Sequence, residues 1–274
     1  MGKIIIKTIG KSINFLSYLL PSYAAKLAVK IFSTPQKGRL TNEENEYLKS
    51  AKQQSIQYND FVLSTYHWKG KNATILLAHG WESNSFRWKN LIELLKTKHY
   101  NIVSIDAPAH GNSGSKIFNA VLYSECINLV AKQHNANIII GHSIGGTSSV
   151  LAANKYKLPI EKLILLGAPS NFDEVITNYV NMMGYNKRVV KAMDKYYLKH
   201  FGYLPEHYTV ENFSSNLKAD GLIIHDKKDR IISYKDALQI YKHYDNSKLV
   251  KTVGFGHGLK SEKVYQHILD FLED

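Results

Sequence analysis

Six short apolar runs set the strongest constraint on what this chain can fold into. They occupy residues 74–78, 101–105, 138–140, 163–167, 222–225 and 249–253, and most neighbouring runs are separated by a segment of helical length. Most are unbroken stretches of Ile, Leu and Val with no apolar/polar alternation, so they read as strands buried on both faces. Strands alternating with helices predict an α/β fold, a mostly parallel sheet flanked by helices on both faces. Two earlier strands fit within residues 55–66, turning at Tyr58-Asn59-Asp60. Ligands of such sheets collect beyond the carboxyl ends of the strands, so the loops that follow the runs are where chemistry is to be sought.

The interval 171–217 breaks this rhythm. Phe172, Val175, Ile176, Tyr179, Val180 and Met183 share one helical face, Gly184 interrupts it, and Val189, Met193, Tyr196 and Tyr197 suggest a second helix. With no convincing buried strand inside it, the interval is expected to be a helical cap inserted into a core made of residues 55–170 and 218–274. Residues 1–54 are expected to form an N-terminal helical segment. Within it, Ile6, Ile9, Ile13, Leu16 and Leu20 recur at helical spacing, Pro21 resets the chain, and Leu27 and Ile31 continue an apolar face. Thr41, followed by Glu43 and Glu44, caps a further helix running to about Lys52. The apolar run from Ile13 to Leu20, interrupted by Asn14 and Ser17, is too short and too polar to span a bilayer. The first 33 residues read first as helices docked on the domain and second as a peripheral membrane contact.

Hydrophobic content of 44% and charged content of 21% belong to a globular chain and exclude disorder. The formal charge of +12 comes from lysines scattered along the chain, and no basic cluster coincides with a nucleic-acid-binding motif, so a nucleic-acid partner is not expected. Cys126 is the only cysteine, which excludes an intrachain disulfide and argues against a thiolate zinc site. The setting expected for such a chain is cytoplasmic, with peripheral membrane association and export as the alternatives.

The chemistry begins at Gly141-His142-Ser143-Ile144-Gly145, which follows one of the buried runs and precedes the small, apolar stretch 147–153. That order is strand, sharp turn, helix, and it presents the Ser143 hydroxyl at the sheet edge. A serine hydroxyl attacks only when a base takes its proton, and the base needs a third group to fix its tautomer. His257 follows the last run within Gly254-Phe255-Gly256-His257-Gly258, and the loop after the fifth run offers two carboxylates, Asp226 and Asp229.

The order serine, aspartate, histidine is that of α/β-hydrolases. From about residue 58 to residue 274 the chain resembles that family, with the interval 171–217 standing where the family carries its variable cap. The resemblance implies Ser143 as nucleophile, Asp229 rather than Asp226 as triad acid, and His257 as base. It implies an oxyanion hole formed by the backbone N–H groups of Ile144 and of Trp81, the residue after His79-Gly80. Structural roles are implied for His79, Asp106 and His110, and His142 reads as packing or hydrogen-bonded support. The implied activity is that of a carboxylesterase-like serine hydrolase acting on a small-molecule ester or thioester, with an amide as a third acyl class. No metal and no cofactor are implied. The alternatives are an acyltransferase or lyase built on the same fold, or a non-catalytic ligand-binding member of it. The basic residues Lys187, Arg188, Lys191, Lys195 and Lys199 read as solvated helix surface.

Overall fold

A computed structural model of the chain describes residues 3–215 and 217–274. The strands are β1 (Lys52–Tyr58), β2 (Phe61–Trp68), β3 (Asn72–Ala78), β4 (Tyr100–Ile105), β5 (Ile138–His142), β6 (Lys162–Leu166), β7 (Asp220–Asp226) and β8 (Ser247–Thr252). The α-helices in chain order are α1 (Lys3–Leu19), α2 (Pro21–Phe32), α3 (Asn42–Leu48), α4 (Lys89–Thr97), α5 (Ala120–Gln133) and α6 (Ile144–Lys155). They continue with α7 (Asp173–Met183), α8 (Lys187–Phe201), α9 (Val210–Ser214), α10 (Tyr234–His243) and α11 (Glu262–Glu273).

The described chain separates into two compact units. One comprises residues up to Thr34 together with 171–212, and the other 35–170 together with 213–274. This grouping differs from the expected partition into 1–54, a core, and a cap at 171–217. Residues 35–54 belong with the sheet, because Lys52 already pairs with His67 in the β1–β2 ladder. That pairing is also why α3, closed at its start by a reciprocal Thr41–Glu44 capping box, stops at Leu48 instead of continuing to Lys52. Residues 3–34 bury their apolar face against the helices of the inserted interval: Ile13, Ala24, Ala28 and Val29 share one cluster with Tyr179, Met183, Val189 and Met193.

In the second unit all eight strands form one sheet in the order β1-β2-β4-β3-β5-β6-β7-β8. β1, β2 and β4 are joined antiparallel, and every pairing from β4 to β8 is parallel. The fold is therefore the α/β class expected, with an antiparallel edge. The hairpin turns at Asn59, whose φ of 49° lies in the left-handed region that Asn tolerates. Along the parallel strands, residues alternate between two buried faces. On one, Ile75, Ile140, Ile164 and Leu222 pack with Leu91 and Leu95 of α4 and with Val264 and Ile268 of α11. α5 and α6 pack against each other, and α6 lies against β3, β5 and β6.

Register decides where function can sit. Ala78 pairs with both Ile105 and Gly141, His142 with Leu166, and Asp226 with Thr252. The carboxyl ends of six strands thus share one edge, and the loops that leave that edge carry Gly80, Ser143, Asp229 and His257.

Candidate active site

Ser143 lies between the end of β5 and the start of α6, at φ 52° and ψ −129°. A non-glycine residue held there stores about 1–3 kcal/mol of backbone strain, which surrounding contacts must offset. Its N–H donates to the carbonyl of Leu166 at 2.8 Å, and its own carbonyl accepts from Gly146 at 2.9 Å, so the turn is held from both sides. Close packing requires the neighbouring glycines. A methyl group on Gly145 would fall 2.4 Å from the carbonyl oxygens of both Ala78 and His79, and one on Gly80 would fall 2.9 Å from Ser143 Cβ.

Ser143 Oγ lies 3.0 Å from Nε2 of His257, and Nδ1 of the same ring lies 2.7 Å from Oδ2 of Asp229. An ionised carboxylate can only accept, so Nδ1 carries the proton, and Nε2 of the neutral ring is left with a lone pair facing the serine hydroxyl. The Asp229 side chain is wholly buried. Burial alone would raise its pKa. That effect is outweighed by hydrogen bonds from His225 and His257 and from the N–H groups of Ile231 and Ile232, which hold the carboxyl well below the usual carboxylate range. His257, between the two, keeps its side chain 20% exposed.

The N–H of Ile144 is the first of α6, where backbone donors point outward and the helix dipole is positive. Gly80, the residue before Trp81, packs against the serine turn: a methyl on it would meet Ser143 Cβ and His142 Nδ1 at 2.9 Å. Among the described residues neither the N–H of Ile144 nor that of Trp81 is taken by a protein acceptor. The Trp81 indole is 38% exposed and packs edge-on against His110 and Phe118.

The remaining candidates are built into the scaffold. Nε2 of His79 accepts from the N–H of Ala107 at 2.9 Å while Nδ1 donates to the carbonyl of Gly80 at 2.7 Å. Nε2 of His110 accepts from Glu82 at 3.0 Å while Nδ1 donates to Pro108 at 2.8 Å. Burial lowers the pKa of His79 to about 4 and that of His110 to about 3. Asp106 is fully buried and accepts from the N–H groups of Ser85 and Asn112 and from the hydroxyl of Tyr66.

Three further residues touch the machinery: His142, which the sequence marks as packing or hydrogen-bonded support, and Arg87 and His225, to which it assigns no role. His142 donates from Nε2 to the carbonyl of His257 at 2.8 Å, and Arg87 donates from Nη2 to the carbonyl of Gly258 at 2.9 Å. His225, at the end of β7, donates from Nε2 to the carbonyl of Ile232 at 3.1 Å, with the same nitrogen 3.4 Å from Asp229 Oδ2. His142 and His225 each directly adjoin a motif residue, and that adjacency is the only signal of them in the sequence. Nothing local marks Arg87, whose partner lies 171 positions away.

The family model for the alpha/beta hydrolase fold matches residues 73–204. The chain has the α/β-hydrolase fold. A solved structure with this fold, alpha/beta hydrolase domain-containing protein 10 from mouse, superposes with a TM-score of 0.66 over 82% of this chain and 98% of that one, at 17% identity. In sequence, 108 residues are 33% identical to a Mycoplasma genitalium protein named "Putative esterase/lipase 2", covering 38% of this chain and 40% of that relative. A longer match, at 23% identity, covers 73% of this chain and 90% of an uncharacterized hydrolase, YugF, of Bacillus subtilis. Among the described residues no cluster of His, Cys, Asp and Glu is arranged to hold a metal ion.

Proposed function

We propose that this α/β-hydrolase cleaves a small-molecule ester or thioester, with amides as a third acyl class, through an acyl-enzyme on Ser143. The observation that carries the reading is the continuous relay from Ser143 Oγ through both ring nitrogens of His257 to the buried Asp229. The relatives named esterase/lipase and hydrolase support the same class.

In the first half-reaction His257 Nε2 takes the hydroxyl proton as Ser143 Oγ attacks the acyl carbon. The negative charge that develops on the carbonyl oxygen is met by the N–H groups of Ile144 and Trp81, fixed donors that need no reorganisation at the moment of reaction. Collapse of the tetrahedral species expels the alcohol or thiol, which leaves with the proton held by His257. In the second half-reaction His257 takes a proton from water, the resulting nucleophile attacks the acyl carbon, and Ser143 departs reprotonated. Asp229 stays ionised throughout. It keeps the proton of the neutral ring on Nδ1 and stabilises the imidazolium when it forms. The lone, buried Cys126 fits a reducing cytoplasmic setting, since this chemistry draws on no disulfide.

The direct test compares the parent with Ser143→Ala on a panel of aryl esters and thioesters of increasing acyl length. Turnover on at least one substrate, lost in the variant, supports the reading; equal turnover by both proteins refutes it.

A further inference from the structure

The unit formed by residues up to Thr34 and by 171–212 presents an apolar surface that its own core does not use. α1 is held on one side by Ile13 in the buried cluster and by Asn14, which donates to the carbonyl of Gly184 at 2.8 Å and accepts from the N–H of Asn186 at 2.8 Å. The other side of the same helix leaves Ile4 83%, Phe15 71% and Leu19 72% exposed. Leu20 and Tyr23, at the restart of the chain around Pro21, extend this surface and are more than half exposed. Isolated exposed apolar residues need no explanation, whereas several along one helix mark an interaction surface.

Charge says what covers it. Lys7, Lys11, Lys26 and Lys30 are all exposed on α1 and α2, and the first carboxylate of the chain is Glu43. Arg188 adds a further cation beside the patch, its guanidinium carbon 4.8 Å from the centre of the Tyr18 ring. A second copy of this face would set lysines against lysines with no anion on α1 or α2 to relieve them. An exposed apolar surface interspersed with long cationic side chains instead matches a bilayer with anionic headgroups. The apolar residues enter the acyl boundary, the lysine stems follow them, and the ammonium groups meet phosphate. We infer that α1 and the start of α2 dock, lying flat, on an anionic phospholipid surface. Among the described residues no helix is long and apolar enough to cross a membrane, in keeping with attachment to the surface rather than insertion through it. This inference is independent of the hydrolase reading.

The test is co-sedimentation of the full chain with phosphatidylcholine vesicles, with and without phosphatidylglycerol. The parent is expected to pellet with the anionic vesicles, to stay in solution with phosphatidylcholine alone, and to be released by high salt. Phe15→Glu/Leu19→Glu, at exposed positions outside the core, is expected to lower the partition at least ~10-fold. Lys7→Glu/Lys11→Glu is expected to lower it by about fivefold or more per lysine. Circular dichroism and cooperative urea unfolding establish that both variants are folded. No pelleting of the parent with anionic vesicles, or a partition unchanged in Phe15→Glu/Leu19→Glu, overturns the inference. A concentration-dependent dimer of the parent that this variant abolishes, without vesicle binding, overturns it too by giving the face to a second copy.

Discussion

Asp226, the last residue of β7, and Asp229, in the loop after it, hold two different points of the histidine loop: Oδ2 of Asp226 accepts from the N–H of Phe255 at 2.8 Å, and Oδ2 of Asp229 accepts from Nδ1 of His257 at 2.7 Å. Asp226 also takes the hydroxyl of Thr252 and the N–H of Lys228. Burial would raise its pKa, but these hydrogen bonds hold it below the ordinary carboxylate value. One carboxylate therefore fixes the loop's backbone and the other its imidazole.

The two should fail differently. Asp229→Asn preserves shape but lets the His257 ring settle in the wrong tautomer, so kcat is expected to fall by about 10^4-fold, together with a loss of stability at neutral pH because the fold holds this carboxyl ionised. Asp226→Asn leaves the relay in place and weakens the loop, with an expected loss of about 1–3 kcal/mol in urea unfolding. Steady-state kinetics and denaturation curves on the pair separate the roles.

Arg87 and His142 secure consecutive carbonyls of that loop, those of Gly258 and His257. Arg87 is buried, and burial brings its pKa down to about 10, still far above neutrality, so the cation is retained in the fold. Arg87→Met is expected to lower kcat by ~10-fold or more while KM moves little, because the loss is one of His257 placement. A change confined to KM would contradict this.

At the oxyanion position the backbone rather than the side chain is expected to matter. Gly80→Ala places a methyl 2.9 Å from both Ser143 Cβ and His142 Nδ1, so the turn carrying the Trp81 N–H must shift. A kcat loss of about 10^2–10^3-fold is expected, the scale of one lost oxyanion donor. Trp81→Ala keeps the N–H and is expected to act chiefly on KM.

Stability is expected to rise with pH across the histidine range. His79 and His110 each accept a backbone N–H at Nε2, and burial lowers their pKa values to about 4 and about 3, so the native state keeps them neutral. Unfolded, each takes a proton near pH 6.5. The unfolded state therefore binds more protons between about pH 4 and 6.5, and each histidine adds a slope of up to ~1.4 kcal/mol per pH unit there. Above that window the slope from these groups vanishes. Urea unfolding at a series of pH values checks the sign, and His110→Asn should flatten the curve.

The sheet was legible in the sequence because its strands are buried on both faces. A run such as Ile138 to Ile140 or Leu163 to Leu166 admits few other readings, and register then carries the following loops to one edge. Ser143, His257 and Asp229 were legible through their order and through the glycines around two of them. What the sequence does not display is pairing across distance. The face marked by Ile13 and Leu16 is visible as a period and reads as helices docked on the domain, but that Tyr179 and Met183 complete it is not visible. Arg87 likewise looks like any basic residue until the chain brings Gly258 to it. His225 was legible as a residue beside Asp226, whereas its approach to Asp229 exists only once the loop has turned back.

Whether Ser143 is the nucleophile is tested most directly by intact-protein and peptide mass spectrometry after treatment with a fluorophosphonate. A single adduct on Ser143 is expected, formed in the parent, lost in Ser143→Ala and slowed in Asp229→Asn. An adduct on another residue, or turnover of an ester by the parent that continues undiminished after complete labelling of Ser143, would contradict it.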